Sequence, residues 1–118
     1  MSRHAELDSA SNYEKEVCLF STKKMRKSFV YILSNQSRSV FYIGMTNNLN
    51  YRIEQHKQGV GSIFTKRYKV VDLLYFEEFL DISQAIGREK QLKNWRRDWK
   101  MDLIKDFNPE LKDLYSSL

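Results

Sequence analysis

Two runs of β-branched and aromatic residues, FVYILS at positions 29–34 and VFYIGM at positions 40–45, decide the fold of this chain. Such residues favour strands because their side chains pack well on a pleated surface. The polar segment NQSRS at positions 35–39 between them is compatible with a turn. The pattern therefore predicts an antiparallel β-hairpin.

A helix and a third strand are predicted after the hairpin. Thr46-Asn47-Asn48 offers helix N-caps, and apolar residues then recur at helical spacing up to Lys57. A basic loop follows. The next apolar run, Val70 to Phe79, predicts a strand in which Leu73 and Tyr75 share one face.

Two helical stripes follow the third strand. The first begins at Asp81 and continues to about Arg96-Arg97, and the second includes Trp99 and ends near Phe107. The predicted order is β-β-α-β-α-α. This order indicates an α+β fold, with a small three-stranded, mainly antiparallel sheet flanked by helices.

The polar N-terminus differs from the rest of the chain. Residues 1–27 lack a repeating apolar face, so we interpret them as a flexible extension that precedes one domain at residues 28–118. Met25 stands just before the first strand and is an alternative translational start. The single cysteine, Cys18, cannot form an internal disulfide.

Charge and hydropathy narrow the class of partner. The formal net charge of +5 and the pI near 9.3 favour a polyanion such as nucleic acid. No apolar run is long enough to cross a bilayer, and the N-terminus has no secretory apolar region. We therefore expect a soluble, cytoplasmic protein without a membrane partner.

Tyr31 and Tyr42 lie on the two strands of the predicted hairpin. A turn centred near Gln36 and Ser37 would place them opposite one another, with both hydroxyls on the same face of the sheet. Packing is the commoner role of a strand tyrosine. The two tyrosines are therefore candidate site residues only if other site residues lie beside them.

Arg52 and His56 are four residues apart, which puts them side by side on the first helix. Arginine offers a charged fork for phosphate oxygens, and histidine can donate or accept a proton near neutral pH. The competing interpretation is a surface arginine beside a hydrogen-bonded, partly buried histidine.

Glu89 interrupts the apolar stripe of the second helix, between Ile86 and Leu92. A buried carboxylate needs a cation, hydrogen-bond donors or a metal ion, because burying it alone is costly. A salt bridge to Lys93, one helical turn later, is the competing interpretation.

Glycine and basic residues are candidate contacts to nucleic acid. Gly44 ends a strand, where the missing side chain allows close approach to a substrate. The run Phe64 to Tyr68 interleaves aromatic and basic residues, the mixture that stacks on bases and contacts phosphates. The basic candidates are Lys66, Arg67, Lys93, Arg96 and Arg97.

These motifs together resemble the GIY-YIG nuclease domains, most closely small stand-alone bacterial members related to the excinuclease nuclease domain. The resemblance covers about Ser28 to Leu114. It is carried by Phe29-Val30-Tyr31-Ile32-Leu33, Phe41-Tyr42-Ile43-Gly44, Asn48-Leu49-Asn50-Tyr51-Arg52, His56 and Arg88-Glu89-Lys90-Gln91-Leu92. The spacings are eleven residues between the tyrosines, ten from Tyr42 to Arg52 and four to His56.

The resemblance implies a single Mg²⁺ or Mn²⁺ ion at Glu89 and phosphate stabilisation by Arg52. One of Tyr31 and Tyr42 would help to activate water, and His56 would hydrogen-bond within the site. Two departures stand out: Phe29-Val30 replaces the Gly-Ile of the first motif, and neither Asn94 nor Asn108 matches the family asparagine.

The implied function is that of a metal-dependent endonuclease that cuts DNA. It would recognise the structure of the DNA rather than its sequence, as nucleases of DNA repair do. The alternatives are a nucleic-acid-binding module with little or no turnover and an accessory protein in DNA repair or recombination.

Overall fold

The run FVYILS forms the central strand of a three-stranded antiparallel sheet in the computed structural model of the protein, which describes residues 27–118. Strand β1 (Ser28–Ser34) lies between β2 (Phe41–Thr46) and β3 (Asp72–Phe79). Both faces of β1 are covered, which is why it is a continuous apolar run rather than an alternating one. The predicted α+β class and three-stranded sheet are confirmed.

Within residues 27–118, four helices surround the sheet, and the predicted order of elements is confirmed with one addition. The segment expected to be a basic loop contains a short helix. Ser62 caps this helix by accepting a hydrogen bond from the backbone N–H of Thr65. The helices are α1 (Leu49–Lys57), α2 (Ile63–Tyr68), α3 (Ile82–Asn94) and α4 (Arg97–Phe107), and a 3₁₀ turn, Tyr115–Ser117, follows.

Two apolar clusters cover the two faces of the sheet. The front cluster lies beneath α1 and consists of Tyr31, Leu33, Tyr42, Leu49, Ile53, Val70 and Leu73. The back cluster lies beneath α3 and α4 and consists of Val30, Ile32, Ile43, Met45, Leu74, Tyr75, Ala85, Leu92 and Ile104. The alternation of side chains along β1 therefore sends Tyr31 to the front and its neighbours to the back.

A bulge in β3 changes the faces that were predicted for this strand. Ile32 pairs with Tyr75, but Leu33 pairs with Leu73, so Leu74 is an extra residue on β3. At a bulge, two consecutive side chains can point to the same side. Leu74 and Tyr75 both join the back cluster while Leu73 joins the front cluster, so the prediction that Leu73 and Tyr75 share a face was wrong.

The C-terminal segment covers the outer edge of β3. Leu114 donates its backbone N–H to the carbonyl of Leu73, and Asp113 accepts the Leu73 N–H. Lys57, at the end of α1, pairs with Asp113 at 2.6 Å. These contacts satisfy strand groups that an open edge would expose, and they connect α1 to the C-terminus.

The predicted extension and the alternative start at Met25 fall almost wholly outside the described residues, which begin at Lys27. Within residues 27–118, no helix has the length and apolar character needed to span a membrane.

Candidate active site

Tyr31 and Tyr42 lie together in the front cluster, with ring centroids 6.4 Å apart. They share a face, as predicted, but they are not directly opposite. Tyr31 pairs with Gly44, and Tyr42 pairs with Leu33. The prediction of a directly opposed pair was wrong because the hairpin register is shifted by two residues, which keeps both side chains on one face and makes them diagonal neighbours.

Gly44 gives Tyr31 the space to lie across β2. A Cβ atom at this position would stand 2.4 Å from the Tyr31 hydroxyl and 2.5 Å from its ring. The close approach at Gly44 is therefore made by Tyr31. Gly44 was predicted to contact nucleic acid, and its observed contact is this support of the tyrosine.

Replacing Gly44 with alanine is expected to destabilise the fold by about 1–3 kcal/mol, because the methyl group must displace the buried Tyr31 ring. Gly87→Ala is the matched control, since a Cβ at Gly87 in α3 meets nothing within 4 Å. The control should stabilise the protein by about 0.5–1 kcal/mol through helix propensity. Denaturant unfolding of both variants measures the difference, and equal stabilities would contradict the placement of Tyr31.

His56 is the buried centre of the hydrogen bonds at this site. Its Nε2 lies 3.0 Å from the Tyr31 hydroxyl, and its Nδ1 lies 3.0 Å from Oγ1 of Thr65. Burial lowers the pKa of His56 to about 3, and the charge of Arg52 lowers it in the same direction. The imidazole is therefore neutral at physiological pH, with one nitrogen available as an acceptor.

Arg52 faces both tyrosines from one helical turn before His56. Its guanidinium interacts electrostatically with the Tyr31 and Tyr42 hydroxyls. Gln55 holds the same side chain by accepting from Nη1 at 3.1 Å. Two tyrosine hydroxyls and a fixed charged fork thus meet at one place, which is an arrangement suited to a phosphate group.

The Tyr31 hydroxyl keeps its proton in this environment. Burial raises the pKa of Tyr31 well above its usual range, and Tyr42 and Glu89 raise it further, whereas Arg52 lowers it. Arg52 is the cation beside this tyrosine, but burial outweighs its effect on the pKa. Tyr31 therefore acts as a hydrogen-bond donor unless a proton acceptor takes its hydrogen.

Glu89 is buried on α3, with 1% of its side chain exposed, and it pairs with Lys93 at 3.0 Å. It shares a helix face with Ala85 and Leu92, which belong to the back cluster. The predicted salt bridge one turn along the helix is thus confirmed. The negative charge of Glu89 is one of the causes that raise the pKa of Tyr31, after burial and Tyr42.

A metal ion at Glu89 would need substrate and water to complete its set of ligands. Among residues 27–118 there is no group of three or more histidine, cysteine, aspartate or glutamate side chains that could form a closed metal site. Mg²⁺, however, often binds through one or two carboxylates together with waters and substrate phosphates. The Lys93 ammonium, itself only 8% exposed, already places a positive charge beside this carboxylate.

The five basic candidates are divided between exposed and engaged positions. Lys66 and Arg67 are exposed on α2. Lys93 is occupied with Glu89, and Arg96 pairs with Asp98 on the surface. Arg97 donates to the backbone carbonyls of the β1–β2 turn, 2.9 Å from the carbonyl of residue 39, and it covers the ring of Phe41.

Neither candidate for the family asparagine is placed in the hydrogen-bonded site. Asn94 is the exposed last residue of α3. Asn108 is buried at the end of α4, where its amide donates to the carbonyls of Leu74 and Lys112. Asn108 therefore stabilises the C-terminal segment.

The sequence interpretation missed the residues that hold His56 and Arg52, namely Thr65, Gly61 and Gln55. Thr65 is fully buried, and a Cβ at Gly61 would lie 2.4 Å from Nδ1 of His56. The available signal was Ser62, three residues before Thr65, which is the spacing of an N-cap and its first bonded backbone group. Phe64, from the same segment, packs on Tyr42.

Comparison with known proteins identifies the family of the chain. A sequence profile of the GIY-YIG catalytic domain matches residues 27–102. That range includes all five candidate site residues, Tyr31, Tyr42, Arg52, His56 and Glu89.

Relatives shorter than this chain carry the name UPF0213. The chain is 37% identical over 82 residues to a UPF0213 protein of Staphylococcus aureus strain Mu3 and, equally, to one of Staphylococcus haemolyticus strain JCSC1435. Each alignment covers 70% of this chain and 99% of the relative. A solution NMR structure of the UPF0213 protein BH0048 from Bacillus halodurans is 28% identical and has a TM-score of 0.44, covering 67% of this chain and 83% of that one.

Proposed function

Because the chain belongs to the GIY-YIG catalytic domain family, we propose that it is a metal-dependent endonuclease that hydrolyses DNA phosphodiester bonds. The observation that carries the proposal is the meeting of Arg52, His56 and the two tyrosines, with the charge of Glu89 acting on Tyr31. The family match places the chain among the nuclease domains. The metal, the DNA substrate and the residue roles are our proposal.

Each residue has a role that its surroundings permit. Arg52 binds the nonbridging oxygens of the scissile phosphate, to which it can donate two parallel hydrogen bonds. Tyr31 orients the attacking water, and His56 is the neutral group that can take up a proton. Glu89 would hold Mg²⁺ or Mn²⁺, and Lewis-acid neutralisation of the phosphate is the chemistry that such an ion supplies when bound.

Substrate selection would depend on nucleic-acid structure. The exposed Lys66 and Arg67 on α2 follow the segment that packs on His56, so they can contact the phosphate backbone beside the site. Contacts to the phosphate backbone position a nucleic acid but carry no information about its sequence. We therefore assign branched, damaged or single-stranded DNA as the substrate class, as in DNA repair.

A binding module with little turnover is the second candidate function, and the Glu89–Lys93 ion pair favours it. An ion pair that stays closed would deny the carboxylate to a metal ion. Nucleic-acid binding through Arg52, Lys66 and Arg67 would remain, and its affinity would fall steeply with salt.

Incubation of the full chain with labelled DNA separates the two functions. The substrates should be single-stranded, nicked, branched and intact duplex DNA, together with RNA of matched sequence. Each substrate is tested with Mg²⁺, with Mn²⁺ and with EDTA. We expect cleavage of branched or single-stranded DNA that requires the metal and stops in EDTA. Retarded but uncut DNA in every metal condition would favour the binding module and contradict the endonuclease.

A further inference from the structure

The hydrogen bonds of the site continue past His56 into a segment outside the family motifs. The chain of contacts runs from Tyr31 to His56 at 3.0 Å, from His56 to Thr65 at 3.0 Å, and from Thr65 to Ser62 at 2.9 Å. Tyr31, His56 and Thr65 are all completely buried. Water therefore does not compete for the two hydrogen bonds of His56, and the surrounding protein groups set the positions of the protons.

Counting the protons favours one arrangement. In this arrangement, the single hydroxyl hydrogen of Thr65 is donated to the carbonyl of Ser62, which lies 3.2 Å away and can only accept. Thr65 Oγ1 then accepts from Nδ1–H of His56. Nε2 of His56 consequently carries no hydrogen and accepts from the Tyr31 hydroxyl. Every donor in the chain is satisfied in this arrangement.

The segment before α2 protects this arrangement. A Cβ at Gly61 would lie 2.4 Å from Nδ1 of His56, so backbone covers that edge of the ring closely. The Ser62 side chain accepts the backbone N–H of Thr65 at 3.0 Å, which holds Thr65 at the start of the helix. The acceptor beside Nδ1 is therefore Thr65, in a fixed position.

We propose that Thr65 is a positioning residue: it keeps the proton of His56 on Nδ1, so that Nε2 receives the hydroxyl proton of Tyr31 during phosphodiester hydrolysis. The proposal rests on the proposed function for its reaction. It deepens that function by naming the residue that sets which nitrogen of His56 is the acceptor.

The step balances in atoms and charge. As the water oxygen forms its bond to phosphorus, one water proton passes to the Tyr31 oxygen, and the Tyr31 proton passes to Nε2 of His56. The bond from phosphorus to the leaving oxygen breaks, and that oxygen keeps the electron pair. The resulting imidazolium returns its proton through Tyr31 to the product phosphate, and the leaving oxygen takes its proton from solvent water.

The binding of phosphate to Arg52 assists the transfer. The charge of Arg52 is one of the two causes that lower the pKa of His56, after burial. A phosphate anion on the guanidinium offsets that charge, so His56 becomes a better acceptor when substrate is present.

The test uses Thr65→Val, which keeps the shape of the side chain and removes the hydroxyl, and Thr65→Ser, which restores it. The readout is ¹⁵N NMR of the His56 ring in the full chain, where the only other histidine, His4, can be replaced by glutamine for assignment. In the wild-type protein and in Thr65→Ser, the His56 ring should be protonated on Nδ1. Thr65→Val should shift mainly to Nε2 protonation, because a buried Nδ1–H without an acceptor is costly.

Cleavage kinetics complete the test. Thr65→Val should lower kcat about tenfold or more with KM within about twofold, and Thr65→Ser should recover most of the rate. The proposal is overturned if His56 of the wild-type protein is protonated on Nε2, or if His56 of Thr65→Val keeps the wild-type tautomer. It is also overturned if His56 of Thr65→Val changes tautomer and this variant still cuts at the wild-type rate.

The two proposals fail in different ways. If no protein in the series cuts any substrate, the proposed function is wrong, and the reaction step assigned to Thr65 is wrong with it, whatever the NMR spectra show. If wild type cuts and Thr65→Val behaves as wild type in both readouts, only the role of Thr65 is wrong. Unfolding midpoints for all variants identify any loss that comes from misfolding, and Thr65→Ser then decides the outcome.

Discussion

Glu89→Gln is expected to lose metal-dependent cleavage by about 10³-fold or more in kcat, since glutamine keeps the shape of the carboxylate and removes its charge. Glutamine can still accept a hydrogen bond from Lys93, which lies 3.0 Å from the carboxylate in the wild-type protein. The fold should therefore survive while the metal affinity does not. Cleavage rates measured over a Mg²⁺ titration test this expectation.

Glu110→Gln is the matched control for this prediction. Glu110 is an exposed carboxylate, and its partner Lys112 is exposed as well, so its loss should change neither the cleavage rate nor stability appreciably. Breaking a buried pair can cost about 3–5 kcal/mol, so an unfolding curve must accompany the Glu89 measurement. A folded Glu89→Gln protein with wild-type metal dependence would place the metal elsewhere.

Arg52→Ala is expected to lower kcat/KM by about 10²-fold to 10³-fold, because the charge that stabilises the phosphate is removed. Arg52→Lys should recover only part of this loss. Lysine keeps the charge but cannot bind the phosphate with two parallel hydrogen bonds or reach both tyrosines in the same way. Lys112→Ala, which removes an exposed charge paired with exposed Glu110, is the control.

Arg52→Ala should also change the titration of His56. Burial is the main cause that lowers the pKa of His56 to about 3, and the charge of Arg52 is the second. Removing the arginine should therefore raise this pKa, while burial keeps it below the usual value near 6.5. An NMR titration of the ring measures the shift. An unchanged or lower pKa would contradict the proximity of Arg52 to His56.

The sheet could be predicted because local propensity and tertiary burial agree there. The run at Phe29 to Leu33 is apolar throughout, as a central strand with two covered faces must be. The pairing register could not be predicted to the residue. The five residues of the turn allow more than one register, and the selected one places Tyr31 over Gly44, where only glycine leaves room for the ring.

Glu89 could be identified from sequence because a charge in an apolar stripe conflicts with the helix pattern. Its pairing with Lys93 was foreseen as the alternative, since residues four apart on a helix are neighbours. Periodicity does not say whether such a pair opens for a metal ion. That choice depends on the free energies of the ion pair and of the metal-bound state with substrate.

Thr65 and the helix that carries it were missed for a physical reason. The six residues of α2 are too few to show helical periodicity, and basic side chains in this segment favoured a loop interpretation. Contacts between Thr65 and His56 join residues from two separate elements. Only the tertiary structure brings their side chains together.

The central claim is that Glu89 holds a divalent metal ion beside a phosphate bound by Arg52. The most direct measurement is the anomalous scattering of Mn²⁺ in crystals of the full chain with a bound single-stranded oligonucleotide. We predict a Mn²⁺ peak at the Glu89 carboxylate, beside the phosphate that Arg52 binds. A Glu89 that remains paired with Lys93 while Mn²⁺ binds elsewhere would contradict it.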